Sequence, residues 1–206
     1  MNTFQPRMAI LPSVQRALWP RLGFAREAFI LYGGTALALR LGHRASADFD
    51  FFSFAPMSPT AFLRSHSLLS EAEVLQMEKN SLAVLVSEGS ETVKLSFFGG
   101  LSFKAVQEAE LTSDGVLRVA SLADLFATKL NTIYQRVEAK DYLDIHAILQ
   151  SGLNLSQGLE YARQVYGDRF NAMLPLQALC YFEEPELRRL PDTIKRSLTE
   201  AVRSVR

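Results

Sequence analysis

Apolar positions keep a helical period at the start of the chain, alternate in its middle and return to a helical period for the rest. Between 8 and 23, Ile10, Leu11, Val14, Leu18 and Leu22 recur at helical spacing. That predicts a helix, with Pro12 in its first turn. Ala28 to Tyr32 is a continuous apolar run, the pattern of a buried strand. Thr35 to Leu41 predicts a short helix that Gly42 stops. His43 to Ala47 is then the loop into a strand over 48–54. Ser58-Pro59 opens a helix that runs through Phe62 and Leu69. Residues 74–78, 81–87 and 92–98 predict three strands, with Lys79-Asn80 and Glu88-Gly89-Ser90 as the turns between them. Asp114-Gly115 is a further turn, before a strand over 116–119. From Ser121, which forms a capping-box pattern with Asp124, the chain reads as helical. Helices are predicted over 122–137 and 139–150, and near 156–166, 170–183 and 192–205. The expected class is α+β: a small mixed sheet flanked by helices over 1–120, and a helical part over 121–206 that packs on this core and contributes site residues.

Composition narrows the classes only a little. Hydrophobic residues make up 48% of the chain, enough for a core. Lys+Arg and Asp+Glu are both 22, so total charge points to no nucleic acid or membrane surface. The single cysteine, Cys180, excludes an intrachain disulfide and fits a reducing compartment. Its neighbours Leu179, Tyr181 and Phe182 mark it as a core thiol. No apolar signal core or membrane-length run occurs, so the expectation is a soluble, cytoplasmic protein with no membrane partner.

The candidate chemistry begins at Tyr32-Gly33-Gly34-Thr35. The glycines let backbone approach a ligand closely, and the helix behind them offers free N–H groups that suit an anion. Asp48 and Asp50 stand two apart on the next strand, so both point to one face. Phenylalanines at 49, 51 and 52 make that strand apolar, and two carboxylates there call for a compensating cation. A phosphate cradle beside paired carboxylates is the minimum apparatus for a nucleoside triphosphate and its Mg²⁺. The alternatives are a plain turn and a solvated acidic edge. Lys129 falls inside the apolar arc of its helix, where it either snorkels or reaches a buried acid or phosphate. Asp141 falls between Ile145 and Ile148 in projection; the alternative there is an acid favoured by a helix N-terminus. Lys140 and Asp144 have the spacing of a surface ion pair. Arg44 and Ser46, in the loop before the acids, can clamp a phosphate or pair locally. His43, His66 and His146 show no metal spacing.

Together these residues resemble the nucleotidyltransferase superfamily. Its signature is an apolar residue before Gly-Gly or Gly-Ser, nine to thirteen residues, then Asp-apolar-Asp/Glu. Here thirteen residues, 35 to 47, separate Gly34 from Asp48. More narrowly, Gly-Gly-Thr-Ala-Leu-Ala-Leu-Arg, His-Arg-Ala-Ser-Ala-Asp-Phe-Asp-Phe-Phe and Glu-Ala-Lys-Asp-Tyr-Leu-Asp-Ile resemble the AbiEii/AbiGii toxins over about residues 25 to 150. Relatives of the MenT type transfer nucleotides onto tRNA 3′ ends and are opposed by a separately encoded antitoxin. The resemblance implies a nucleotidyltransferase-like core and nucleotide binding by Gly33, Gly34 and Thr35, with Arg44 and Ser46 beside them. It implies Mg²⁺ on Asp48 and Asp50, catalytic roles for Asp48, Asp50, Lys129 and Asp141, and Asp144 as a weaker match. It implies an NTP substrate, an RNA acceptor and an antitoxin partner. Ser96 stands where the superfamily often has a third carboxylate, with Lys94 on the same face. That keeps open a catalytically degenerate binding module, as well as nucleotidylation of a protein or a small molecule. Six basic residues between 185 and 206 (Arg188, Arg189, Lys195, Arg196, Arg203, Arg206) form either an RNA-facing helix or a solvated face.

Overall fold

The computed structural model describes residues 2–205. Its strands are β1 (Thr3–Phe4), β2 (Ile30–Tyr32), β3 (Phe49–Phe52), β4 (Glu73–Glu78), β5 (Ser81–Glu88), β6 (Glu91–Phe98), β7 (Glu110–Thr112) and β8 (Arg118–Val119). Among the described residues they form one mixed sheet in the order β1-β7-β8-β2-β3-β6-β5-β4. The helices are α1 (Ser13–Leu18), α2 (Gly33–Leu41), α3 (Pro59–Ser65), α4 (Ser67–Ser70), α5 (Leu122–Thr132), α6 (Ala139–Gln150), α7 (Leu155–Tyr166), α8 (Met173–Ala178), α9 (Pro185–Arg188) and α10 (Asp192–Arg203). Two compact units result. One runs to Phe103 and resumes over Glu108–Ser121; the other takes Lys104–Gln107 and the chain from Leu122 onward.

The sheet lies wholly in the first unit, and alternation gives it two different faces. One face carries Phe49, Phe51, Leu82, Val84, Val86, Val93, Leu95 and Phe97, all buried. Phe51 and Phe97 stack at 4.9 Å, Trp19 lies 6.2 Å from Phe49, and Phe62 lies 5.0 Å from Phe97. This face is the core of the unit. The other face presents Asp50, Ser96 and Ala83 in one row. Edge strand β4 is exposed along its whole length, and its pairing with β5 slips at Leu75, a bulge between Val74 and Gln76.

Two expected helices are broken. The stretch 8–23 is a 3-10 turn (Met8–Ile10), then α1, then a 3-10 segment (Trp19–Ala25). Pro12 caps α1 from outside rather than standing in its first turn, and Pro20 has no N–H to continue the ladder. The buried positions are Leu11, Gln15, Leu18, Trp19 and Leu22, so the inward stripe passes through Gln15 instead of Val14. The helix expected from Ser58 to Leu69 divides at His66, whose backbone is extended (φ −127°, ψ 118°).

In the second unit, α5 and α7 approach closely because Gly158 lies over the Phe126 ring; an ideal Cβ there would meet Phe126 Cε1 at 2.5 Å. The Asp124 carboxylate accepts from the N–H groups of Val106 (2.7 Å) and Gln107 (3.2 Å), which fastens the 104–107 segment. Asn154 and Gln157 form a reciprocal capping box on α7. Cys180 is exposed, not a core thiol: Leu179 takes the buried position at the end of α8. No helix among the described residues is long and apolar enough to cross a membrane.

Candidate active site

The site grows from the junction of β2 and α2. Tyr32 is extended, and Gly33 turns the chain into the helix at φ +73°, a conformation that costs a side-chain-bearing residue. The N–H groups of the first turn, from Gly33 to Ala36, have no partner inside the helix. Tyr32 is paired with Asp50 across β2 and β3. A Cβ on Gly33 would lie 2.7 Å from Asp50 Oδ2, and one on Gly34 would lie 2.8 Å from Arg44 Nη2 and 2.9 Å from Ser46 Oγ. The 43–47 loop and the acidic strand therefore close onto the turn at the two places where a side chain is missing. The buried Thr35 hydroxyl donates to the Asp48 carbonyl and ties the start of α2 to the start of β3. What Thr35 offers a phosphate is consequently its backbone N–H.

Asp48 is exposed and stands just before β3, which begins at Phe49 rather than at 48 as expected. Asp50 is half-buried inside the strand. On β6, Ser96 lies directly opposite Asp50 and is only 2% exposed. Lys94, two residues earlier, shares its face by alternation. Among the described residues, no group of three or more His, Cys, Asp or Glu side chains could hold a metal ion by itself. The donor set at this site is thus two carboxylates beside a helix N-terminus. That suits a hard divalent ion that draws its remaining ligands from phosphate oxygens and water.

In the second unit, Lys129 and Asp141 come together. Lys129 Nζ lies 2.7 Å from Asp141 Oδ1 and 2.6 Å from Asp144 Oδ2, and both carboxylates are completely buried. Arg136 Nε donates to Asp141 Oδ2 at 2.9 Å and its Nη2 to Oδ1 at 3.2 Å. Burial disfavours the charged form of Asp141, but the Arg136 hydrogen bonds and the Lys129 charge outweigh it and hold the carboxyl below its ordinary range. A carboxylate so held is a poor proton acceptor. Sequence reasoning missed Arg136; its signal was a guanidinium five residues before an inward acid. The expected Lys140–Asp144 pair does not form: Lys140 Nζ pairs with Glu138 at 2.8 Å while Asp144 turns in to Lys129.

The basic tail is partly neutralised. Lys195 Nζ donates to the Arg188 carbonyl at 2.8 Å, and Arg188 pairs with Glu183 at 3.0 Å. Arg206 lies outside the described residues.

The profile of the AbiEii nucleotidyl transferase toxin family, described as a type IV toxin–antitoxin system, matches residues 17–204. An uncharacterized protein of Aquifex aeolicus (strain VF5) is 30% identical over 166 residues, 79% of this chain and 77% of that protein. The structure is similar to that of MenT4, a nucleotidyltransferase toxin of Mycobacterium tuberculosis H37Rv. The TM-score is 0.59 and the identity 15%, over 94% of this chain and 84% of that one. At that identity the likeness is one of fold.

Proposed function

The chain belongs to the AbiEii nucleotidyl transferase toxin family, and on that premise we propose that it transfers a nucleotide from an NTP to a hydroxyl of an RNA acceptor, tRNA first among them, with Mg²⁺ at Asp48 and Asp50. The observation that carries this reading is the contact between turn and acid: Gly33 leaves 2.7 Å between its missing Cβ and Asp50 Oδ2. A triphosphate on the first turn of α2 is thereby brought against the carboxylates. Mg²⁺, when bound, supplies charge neutralisation and polarises the α-phosphorus. The N–H groups of Gly33, Gly34 and Thr35 orient the phosphates. Arg44 and Ser46, packed on Gly34, hold charge that builds on the leaving diphosphate. Asp50 is the carboxylate we assign to draw a proton from the acceptor hydroxyl.

Catalytic roles for Lys129 and Asp141 rest on the family resemblance. Their geometry supports one part of it, that Asp141 and Asp144 fix the direction of the Lys129 ammonium. The partner we assign is a separately encoded antitoxin, and the compartment is the cytoplasm, where NTPs and RNA meet.

The test is incubation with each α-labelled NTP, Mg²⁺ and total cellular RNA, for the wild type and Asp50→Asn. Label is expected in RNA, about a thousandfold less with the variant, at an unchanged melting temperature. Label in protein would redirect the acceptor, and label in neither pool would sink the enzymatic reading. A second reading, a degenerate binding module, is favoured by Ser96 opposite Asp50. It predicts that wild type and Asp50→Asn are equally toxic when expressed.

A further inference from the structure

The row of residues beside the acids holds a cation with no assigned use. β3 and β6 run parallel with Asp50 opposite Ser96 and Phe49 opposite Leu95. Lys94, two residues before Ser96 on β6, is on the face that carries Ser96 and Asp50. Lys94 is half-buried and pairs with Leu85 of β5, and its ammonium makes no hydrogen bond or ion pair among the described residues. A carboxylate at 96 would stand one pleat away on the same face and would neutralise it; Ser96 does not. The ammonium stands on the face of the acids and forms no ion pair among the described residues, which leaves it to a ligand.

Stereochemistry says which ligand. The glycine turn and Arg44 lie on the β2 side of Asp48 and Asp50, so the leaving diphosphate departs on that side. In-line displacement brings the attacking oxygen from the opposite side, the side on which β6 lies. We propose that Lys94 binds a backbone phosphate of the RNA acceptor and so holds the attacking hydroxyl over the acid pair. This rests on the nucleotidyltransferase reading above. The bond that forms joins the acceptor oxygen to the α-phosphorus, the bond that breaks is the one to the diphosphate, and the acceptor proton passes to Asp50. Lys94 takes no part in that exchange; it is an acceptor-positioning residue.

The test compares Lys94→Gln and Lys94→Arg with wild type, and uses Lys79→Gln, on the exposed β4–β5 turn, as a control for loss of charge alone. Binding of a fluorescein-labelled single-stranded RNA dodecamer is followed by anisotropy across a salt series, and binding of a non-hydrolysable NTP with Mg²⁺ by calorimetry. Lys94→Gln is expected to weaken RNA binding about tenfold and to flatten its salt dependence by ~0.7 in log–log slope, the share of one phosphate contact. NTP affinity should stay within about twofold, Lys94→Arg should keep RNA affinity, and Lys79→Gln should match wild type. Equal RNA binding by Lys94→Gln and wild type overturns the proposal, as does a loss of NTP affinity with RNA binding intact. A wild type that binds NTP but not RNA overturns it while leaving nucleotidyl transfer standing. A wild type that binds neither removes both.

Discussion

Gly33 answers to two constraints at once, a backbone at φ +73° and an acid oxygen 2.7 Å from where its Cβ would be. Gly33→Ala is therefore expected to cost about 1–3 kcal/mol from strain alone. It should also push Asp50 off the turn, so that nucleotidyl transfer falls far more than the melting temperature does; equal losses in both would show that Gly33 serves folding only. The spacing of Gly33, Gly34, Asp48 and Asp50 was legible in the sequence because it is local, set by one helix and one loop. The helical wheel also told which way Lys129 and Asp141 face. It could not tell whom they meet, because a wheel gives direction and not distance. The spacing of Asp144 and Lys140 allows a surface pair, yet the Asp144 carboxylate is 2.6 Å from Lys129 and fully buried. Lys140 prefers Glu138, reached without leaving solvent.

At the scale of elements, the hairpin β5–β6 was readable almost to its ends, since both its turn and its alternation are local signals. Strands β1 and β7 were not. Each is two or three residues long; β1 forms where Thr3 and Phe4 meet Leu111 and Thr112 from the far end of the unit, and β7 pairs with both β1 and β8. Helix α1 shows a different failure. Pro12 precedes it and Pro20 follows it, Gln15 rather than Val14 is wholly buried, and neither amide atom of Gln15 finds a hydrogen-bond partner among the described residues. An unsatisfied buried amide costs roughly 1–3 kcal/mol. Gln15→Leu, close in volume, should accordingly raise stability by about 1–2 kcal/mol in urea unfolding. A lower midpoint would mean that Gln15 is satisfied by a buried water.

For the molecule as a whole, pH tests the packing. Burial lowers the pKa of both His66, set between Phe24 at 4.6 Å and Phe62 at 4.8 Å, and His146. A base whose folded pKa is depressed stabilises the fold above its unfolded value, 6.5 here, and that contribution is lost as pH falls below it. Asp141, also depressed, acts in a lower window: its contribution is present above the unfolded carboxyl value of 3.8 and is lost as pH falls through the folded one. The melting temperature is thus expected to be level between neutrality and about 10, to decline first below about 6.5 and again in the acid range. His66→Phe should remove part of the first decline, and an unchanged profile would count against His66 as its source. Strand β4 stands at one edge of the sheet with Val74, Leu75 and Met77 exposed. The formal net charge is +0 at pH 7, so copies of the protein meet in neutral solution without long-range repulsion. What keeps one edge from adding to another is then the kink at Leu75, which spoils the straight row of donors and acceptors a second sheet would need. Deleting that one surplus residue, Leu75, is therefore expected to lower the concentration at which this protein begins to aggregate.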